Sequence, residues 1–182
     1  QIATRDGSRY DRVRVSSRDY VRSGFSRGQM APSHAIGEFY GRDAQLQTFL
    51  MSNITPQLQV LNANAWEDLE NLEIDYARDY GTVWVIDGPV FPAHPATLRA
   101  GVEVPSAFYK LIVRETGGRP VMLAVLMPQA GPHAAATAHE RPEDYLTSVD
   151  EVQKQSGLDF FWQLDDGEEK TLESARAGRL WP

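Results

Sequence analysis

Two apolar stretches, Ala107–Glu115 and Val121–Met127, are separated only by Thr116-Gly117-Gly118-Arg119-Pro120. This pair restricts the fold more tightly than any other part of the chain. Short runs rich in Val, Ile, Leu and aromatic residues read as strands, and a brief Gly-containing link between two of them reads as a hairpin turn. Thr82–Asp87 (Thr-Val-Trp-Val-Ile-Asp) predicts a further strand, closed by Gly88-Pro89. Gln47–Ile54 predicts a shorter, buried one, ended at Thr55-Pro56 because proline cannot donate to a ladder.

Helical signals lie between and after these strands. Trp66, Leu69, Leu72, Tyr76, Ala77 and Tyr80 fall near i, i+3, i+4 spacing and predict a helix from about Ala63 to Tyr80, with Gly81 placed to end it. Asn62 or Asn64 can cap its start, and Glu67 and Asp68 suit the positive end of the helix dipole. Ser148-Val149-Asp150-Glu151 is a capping box that opens a second helix, which Gly157 ends. Residues 1–25, Phe91–Pro105 and Gly131–Thr137 read as loops, and the acidic tail after Asp165 as peripheral. Strands and helices in mixed order, without βα alternation, predict an α+β fold with a mostly antiparallel sheet.

At 182 residues the chain is expected to be one domain, 1–182, with a sizeable core. Its longest apolar runs, such as Val121–Met127, are too short to span a bilayer. The absence of cysteine excludes disulfides, thiolate metal sites and a cysteine nucleophile. A chain opening at Gln1 leaves room for an upstream segment, an export signal among the options. The net charge of −7 argues against a nucleic-acid partner until its distribution is considered. Residues 1–42 hold eight arginines against four acids, an excess of +4 that leaves −11 for the remainder. Such asymmetry fits a locally basic face for phosphate and fits equally a solvated basic loop.

Candidate chemistry concentrates between Ser26 and Glu70. Cleaving a phosphodiester needs charge neutralised on the phosphoryl oxygens, a base to activate water, and a stabilised leaving oxygen. Mg²⁺ prefers hard oxygen ligands and keeps several waters, so one direct protein oxygen can suffice. Asn62 and Glu70 are eight residues apart, close to two helical turns, which would put them on one face. They read as a metal ligand with a carboxylate holding its waters, or as an ordinary N-cap and a solvated helix residue. Asn53, before Thr55-Pro56, reads as a group orienting the metal's waters or as plain turn chemistry. Arg27-Gly28 offers a phosphate-gripping guanidinium beside a residue that allows close backbone approach. The four histidines, His34, His94, His133 and His139, have no metal-ligand spacing on a helix and read as surface residues.

Three blocks are carried together: Ser26-Arg27-Gly28-Gln29-Met30-Ala31-Pro32, Ser52-Asn53-Ile54-Thr55-Pro56-Gln57, and Asn62 through Trp66 to Leu69-Glu70. In order and spacing they resemble the DNA/RNA non-specific endonuclease family, the ββα-metal group that includes endonuclease G and secreted sugar-non-specific nucleases. The resemblance extends over Val83–Phe91, Val104–Lys110 and Tyr145–Phe161, and so over most of the chain. It implies a ββα-metal fold and a nuclease acting on DNA and RNA with Mg²⁺, or Mn²⁺ as a substitute. Asn62 would be the direct metal ligand, with Glu70 and Asn53 reaching the ion through water. Arg27 would support the phosphate, and Arg5 would align with a transition-state arginine. The resemblance also favours an exported protein, is compatible with a homodimer, and places one further strand ahead of Gln1.

Two positions depart from the family pattern. Ser26 stands where an Asp is usual, and Gln29 stands where the general-base His is expected. A glutamine amide can hydrogen-bond a water but does not take its proton at neutral pH. Two readings follow: a Mg²⁺-dependent nuclease weakened at Gln29, or a naturally inactive homologue that binds nucleic acid without cutting it.

Overall fold

The computed structural model describes residues 15–129 and 140–182. Arg5, the Gly131–Thr137 loop, His133 and His139 lie outside the described residues.

The hairpin forms as its sequence predicts and becomes the spine of the protein. Strand β4 (Ala107–Thr116) pairs antiparallel with β5 (Arg119–Pro128) over their whole length, and Gly117 and Gly118 both turn through positive φ. On one side β4 pairs with β3 (Trp84–Val90), and on the other β5 pairs with the two-residue β6 (Leu146–Thr147). The four-stranded sheet runs β3-β4-β5-β6, and every ladder is antiparallel. Strand β3 does not stop at Gly88-Pro89 as expected but runs through them to Val90. It is an edge strand, where proline removes no bond that a neighbour needs. Gly88 is required there, because a Cβ would stand 2.9 Å from the Tyr109 ring.

A separate two-stranded sheet pairs β1 (Ser26–Gln29) with β2 (Ile54–Gln57). The strand expected over Gln47–Ile54 is therefore displaced: the chain is a short helix up to Gln47, a 3-10 turn over Met51–Asn53, and extended only from Ile54. Pro56 sits inside β2 opposite Arg27, again tolerated because the ribbon has only one partner strand. Helices α1 (Ser33–Tyr40) and α2 (Arg42–Gln47) fill the connection, and neither is opened by a side-chain cap that would mark it in the sequence.

The long helix is α4 (Ala65–Tyr80), ended by Gly81 at φ 87°. It does not begin at Ala63. A separate one-turn helix, α3 (Gln59–Asn62), precedes it, and Ala63 and Asn64 leave the helical path between them. Asn64 holds the N-cap position without a side-chain cap bond; its amide donates instead to the Val60 carbonyl at 2.6 Å. Helix α5 (Val149–Ser156) matches its capping box, with the Ser148 hydroxyl accepting from the Glu151 N–H at 3.3 Å and Gly157 in the left-handed region.

The sheet is buried on both faces. Phe108, Ile112, Leu123, Val125 and Met127 pack under Leu61, Ala65, Trp66, Leu69 and Tyr76 of α3 and α4. Tyr109, Leu111 and Ala124 face Val149 and Val152 of α5 and Phe160. The tail after Asp165 is not peripheral. It forms α6 (Asp166–Ser174) and then returns to α4, where Trp181 packs on Tyr76 and Tyr80, and Tyr80 donates to the Pro182 carbonyl at 2.6 Å.

Candidate active site

Strand alternation sets the aim of β1. Gly28 is buried, whereas Arg27 is exposed and Gln29 half-buried on the other face. Glycine is required at 28 because a Cβ would come within 2.7 Å of the Gln57 Cβ. Gln57 itself is fully buried, with neither end of its amide hydrogen-bonded.

Beyond Gln29 the chain is held by one amide. Asn53 Oδ1 accepts from the Ala31 N–H at 2.9 Å, and Asn53 Nδ2 donates to the carbonyls of Ala31 and Thr48, each at 2.9 Å. With three backbone contacts engaging it, this side chain is a clamp that ties the turn after β1 to the approach to β2. Gln29 joins the same clamp: its Nε2 donates to the Thr48 carbonyl at 3.0 Å and to the Thr48 hydroxyl at 3.1 Å.

Arg27 and Asn62 meet in an open cleft of about 490 Å³, lined also by Tyr20, Phe25, Ser26 and Gln59. Ser26 donates from its hydroxyl to Gln59 Oε1, so the position where the family pattern has Asp is engaged across the cleft floor. Neither the Arg27 guanidinium nor the Asn62 amide has a hydrogen-bond or ion-pair partner among the described residues. Tyr20 is 6% exposed and its hydroxyl is buried without a hydrogen-bond partner among the described residues, and burial, with Asp19 nearby, raises its pKa. Sequence reasoning missed Tyr20; its surroundings read as irregular loop, and only the fold brings it to this cleft.

Glu70 occupies a different environment. It lies two turns into α4, above a charge cluster that the sequence did not reveal. Lys110 stands between Phe108 and Ile112 on the α4 face of β4 and is completely buried. Its ammonium contacts Glu73, lies 3.4 Å from Asp87, and sits over the Trp66 ring at 4.6 Å from the centroid. Burial alone would lower the Lys110 pKa, but Glu73, Asp87 and Glu70 outweigh it and hold the ammonium charged. Burial raises the Glu70 carboxyl to about 7; Lys110 and the Trp66 indole oppose that rise, while Glu73 and Asp87 add to it. The Trp66 N–H is buried and makes no geometrically complete hydrogen bond, so its help to the carboxylate is weak.

The break at Ala63-Asn64 means that Asn62 and Glu70 do not share one helical face through continuous α-helix, and no hydrogen bond links their side chains. The fold thus joins Arg27 to Asn62 and sets Gln29 two residues along the same strand face. It places Glu70 with Lys110, and Asn53 in the backbone clamp. His34 and His94 are exposed, as expected for surface residues, and His34 lies along α1 toward Glu38 rather than beside Gln29. The chemistry of Asn62 fits a hard cation: its side chain carries an amide oxygen, has no hydrogen-bond partner among the described residues, and lines an open polar cleft.

The profile of the DNA/RNA non-specific endonuclease family matches residues 5–167. The chain belongs to that family. Mitochondrial nuclease EXOG of Xenopus laevis is 34% identical over 166 residues, which cover 83% of this chain and 44% of the relative. Human mitochondrial endonuclease G is 32% identical over 158 residues, 81% of this chain and 52% of that one. Endonuclease G in its crystal structure with the inhibitor EndoGI superposes with a TM-score of 0.72 at 27% identity, covering 85% of this chain and 66% of that one. The chain spans about half the length of these curated relatives. The family's ββα-metal fold accounts for the β1–β2 ribbon leading into α3 and α4. The vertebrate relatives are named as mitochondrial, so family membership does not favour export as the resemblance suggested. No helix among the described residues is long and apolar enough to cross a membrane.

Proposed function

We propose that this chain is a nuclease domain that hydrolyses phosphodiester bonds of DNA and RNA with one divalent cation, Mg²⁺ or Mn²⁺, and that Gln29 impairs it. One observation supports this above the others: the Arg27 guanidinium and the Asn62 amide line one open cleft and have no partner among the described residues. Polar groups left unpaired at a cleft are suited to a ligand's oxygens. When bound, the cation would be held by Asn62, with Glu70 toward its waters, and would neutralise phosphoryl charge.

The remaining roles belong to the protein. Arg27 grips a non-bridging phosphate oxygen and fixes the backbone of the nucleic acid without reading a base. Asn53 keeps the turn after β1 in place, so that residue 29 at the end of that strand keeps a constant direction. Gln29 gives its N–H groups to Thr48 and retains a carbonyl oxygen that can align a water. That oxygen does not take the water's proton. Loss of a general base typically lowers the rate by about 10²–10⁴-fold.

The experiment is Gln29→His, assayed on plasmid DNA and on RNA with Mg²⁺ and with EDTA. A gain of about 10²–10⁴-fold that EDTA abolishes is expected. An unchanged rate, with nucleic acid still bound, would instead identify a binding homologue that does not cleave.

A further inference from the structure

Outside the cleft, the polypeptide between α5 and the end of α6 carries six acids, Asp159, Asp165, Asp166, Glu168, Glu169 and Glu173, against one lysine, Lys170. Three of them converge. One carboxylate oxygen from each of Asp159, Glu169 and Glu173 lies within 4.8 Å of the others. None of the three has an ion-pair partner among the described residues.

Glu173 distinguishes this group from an ordinary acidic surface. It is only 6% exposed. Its Oε2 accepts from Gln153 Nε2 at 3.1 Å, while its Oε1 is buried with no hydrogen-bond partner among the described residues. Gln153 is in turn oriented by the Phe160 N–H, which donates to its Oε1 at 2.6 Å. One carboxylate oxygen is therefore aimed by a built support, and the other is left bare. A bare buried carboxylate oxygen is costly unless a cation or donor meets it. Burial, together with Glu169, Asp150 and Asp159 nearby, already raises the Glu173 pKa above the usual carboxylate range.

We propose that Asp159, Glu169 and Glu173 form a divalent-cation site, of a kind suited to Ca²⁺, that joins α6 to the α5–α6 loop. The donors are all oxygen, which excludes soft metals. Three carboxylates gathered at a partly exposed position suit the flexible sphere of Ca²⁺, whose oxygens lie at about 2.3–2.6 Å from the ion, better than the strict octahedron of Mg²⁺. Waters complete the coordination on the exposed Asp159 side. The ion acts on structure: it cancels repulsion among three carboxylates and fixes α6 against the body. It is independent of the cation proposed for the cleft.

The test uses the whole chain, stripped with EDTA and titrated with CaCl₂ by calorimetry, with melting temperature followed in parallel. Three forms are compared: the unaltered chain, Asn62→Ala, and Asp159→Asn with Glu169→Gln. Unaltered chain and Asn62→Ala should each bind one Ca²⁺ with Kd of roughly 10⁻⁴–10⁻³ M. Both should melt several degrees higher in 10 mM Ca²⁺. The double variant, whose changes are on exposed and half-buried side chains, should fold, melt no lower than the unaltered chain without metal, and bind at least tenfold more weakly. Glu173→Gln should likewise lose the calcium response. The proposal is overturned if Ca²⁺ raises no melting temperature, if the rise persists in the double variant, or if Asn62→Ala abolishes it.

Discussion

The Arg27–Asn62 cleft and the Lys110 cluster are both polar, yet they are built in opposite ways. In the cleft, two strong hydrogen-bonding groups have no partner among the described residues. Around Lys110, a fully buried ammonium is enclosed by Glu73, Asp87 and an aromatic face. Both regions hold residues from the stretch that the sequence alone presents as one site. The difference teaches that adjacency in a motif does not fix what a residue does. Asn62 lines an open cleft, whereas Glu70, on the next helix, borders the buried Lys110 cluster as well.

That contrast can be broken most forcefully at Lys110. Lys110→Met keeps the volume but leaves Glu73 and Asp87 facing each other without a cation. Removing one partner of a buried pair costs about 3–5 kcal/mol, to be read by urea denaturation. A loss below about 1 kcal/mol would show that the cluster is not structural.

Glu70 gives the next largest effect. Its folded pKa, about 7, is raised above the ordinary carboxylate value, so the folded state binds a proton that the unfolded state has released. The stability that Glu70 contributes is therefore fully present below about pH 4.5, falls as pH rises toward 7, and is lost above, a total of roughly 3 kcal/mol at most. Glu70→Gln should flatten that part of the curve and stabilise the protein at pH 8. Melting temperatures measured against pH in EDTA decide the matter, and an unchanged slope would remove Glu70 from the buried set.

Asn53→Ala sharpens the comparison from the other side, since it breaks three backbone contacts that tie the turn after β1 to the approach to β2. A loss of about 2 kcal/mol is expected, at roughly 0.5–1 per bond. Smallest is Asn62→Ala. With no partner among the described residues to lose, stability should change by less than about 0.5 kcal/mol. Affinity for Mg²⁺ should nevertheless fall at least tenfold by calorimetry. Unchanged metal binding would remove Asn62 from the proposed site.

Much of the fold was legible in the sequence wherever local rules coincide with the tertiary arrangement. The Gly117-Gly118 hairpin, the Ser148 capping box and the Gly81 stop are decided within a few residues, and they form as read. Arg27 and Asn62, picked out by motif, do meet. The failures share one cause. Pro56 and Pro89 end strands only where both sides must pair, and both lie in strands with a free side. The helical spacing of Asn62 and Glu70 misled because Ala63-Asn64 interrupts the helix. Lys110 reads as one letter of a family-like run, although a lysine flanked by apolar residues on a strand buried on both faces must find carboxylates. Nothing local says which ones, since Glu73 and Asp87 come from different elements.

The interruption at Ala63-Asn64 also sets how the site can vary. On a continuous helix, inserting one residue would rotate everything beyond it by about 100°. Here Asn62 takes its direction from a single turn fastened beside β1, and Glu70 takes its own from α4. The rotational phase of one is free of the other. A lineage could lengthen, shorten or repack α4 and still leave the amide at position 62 aimed into the same cleft.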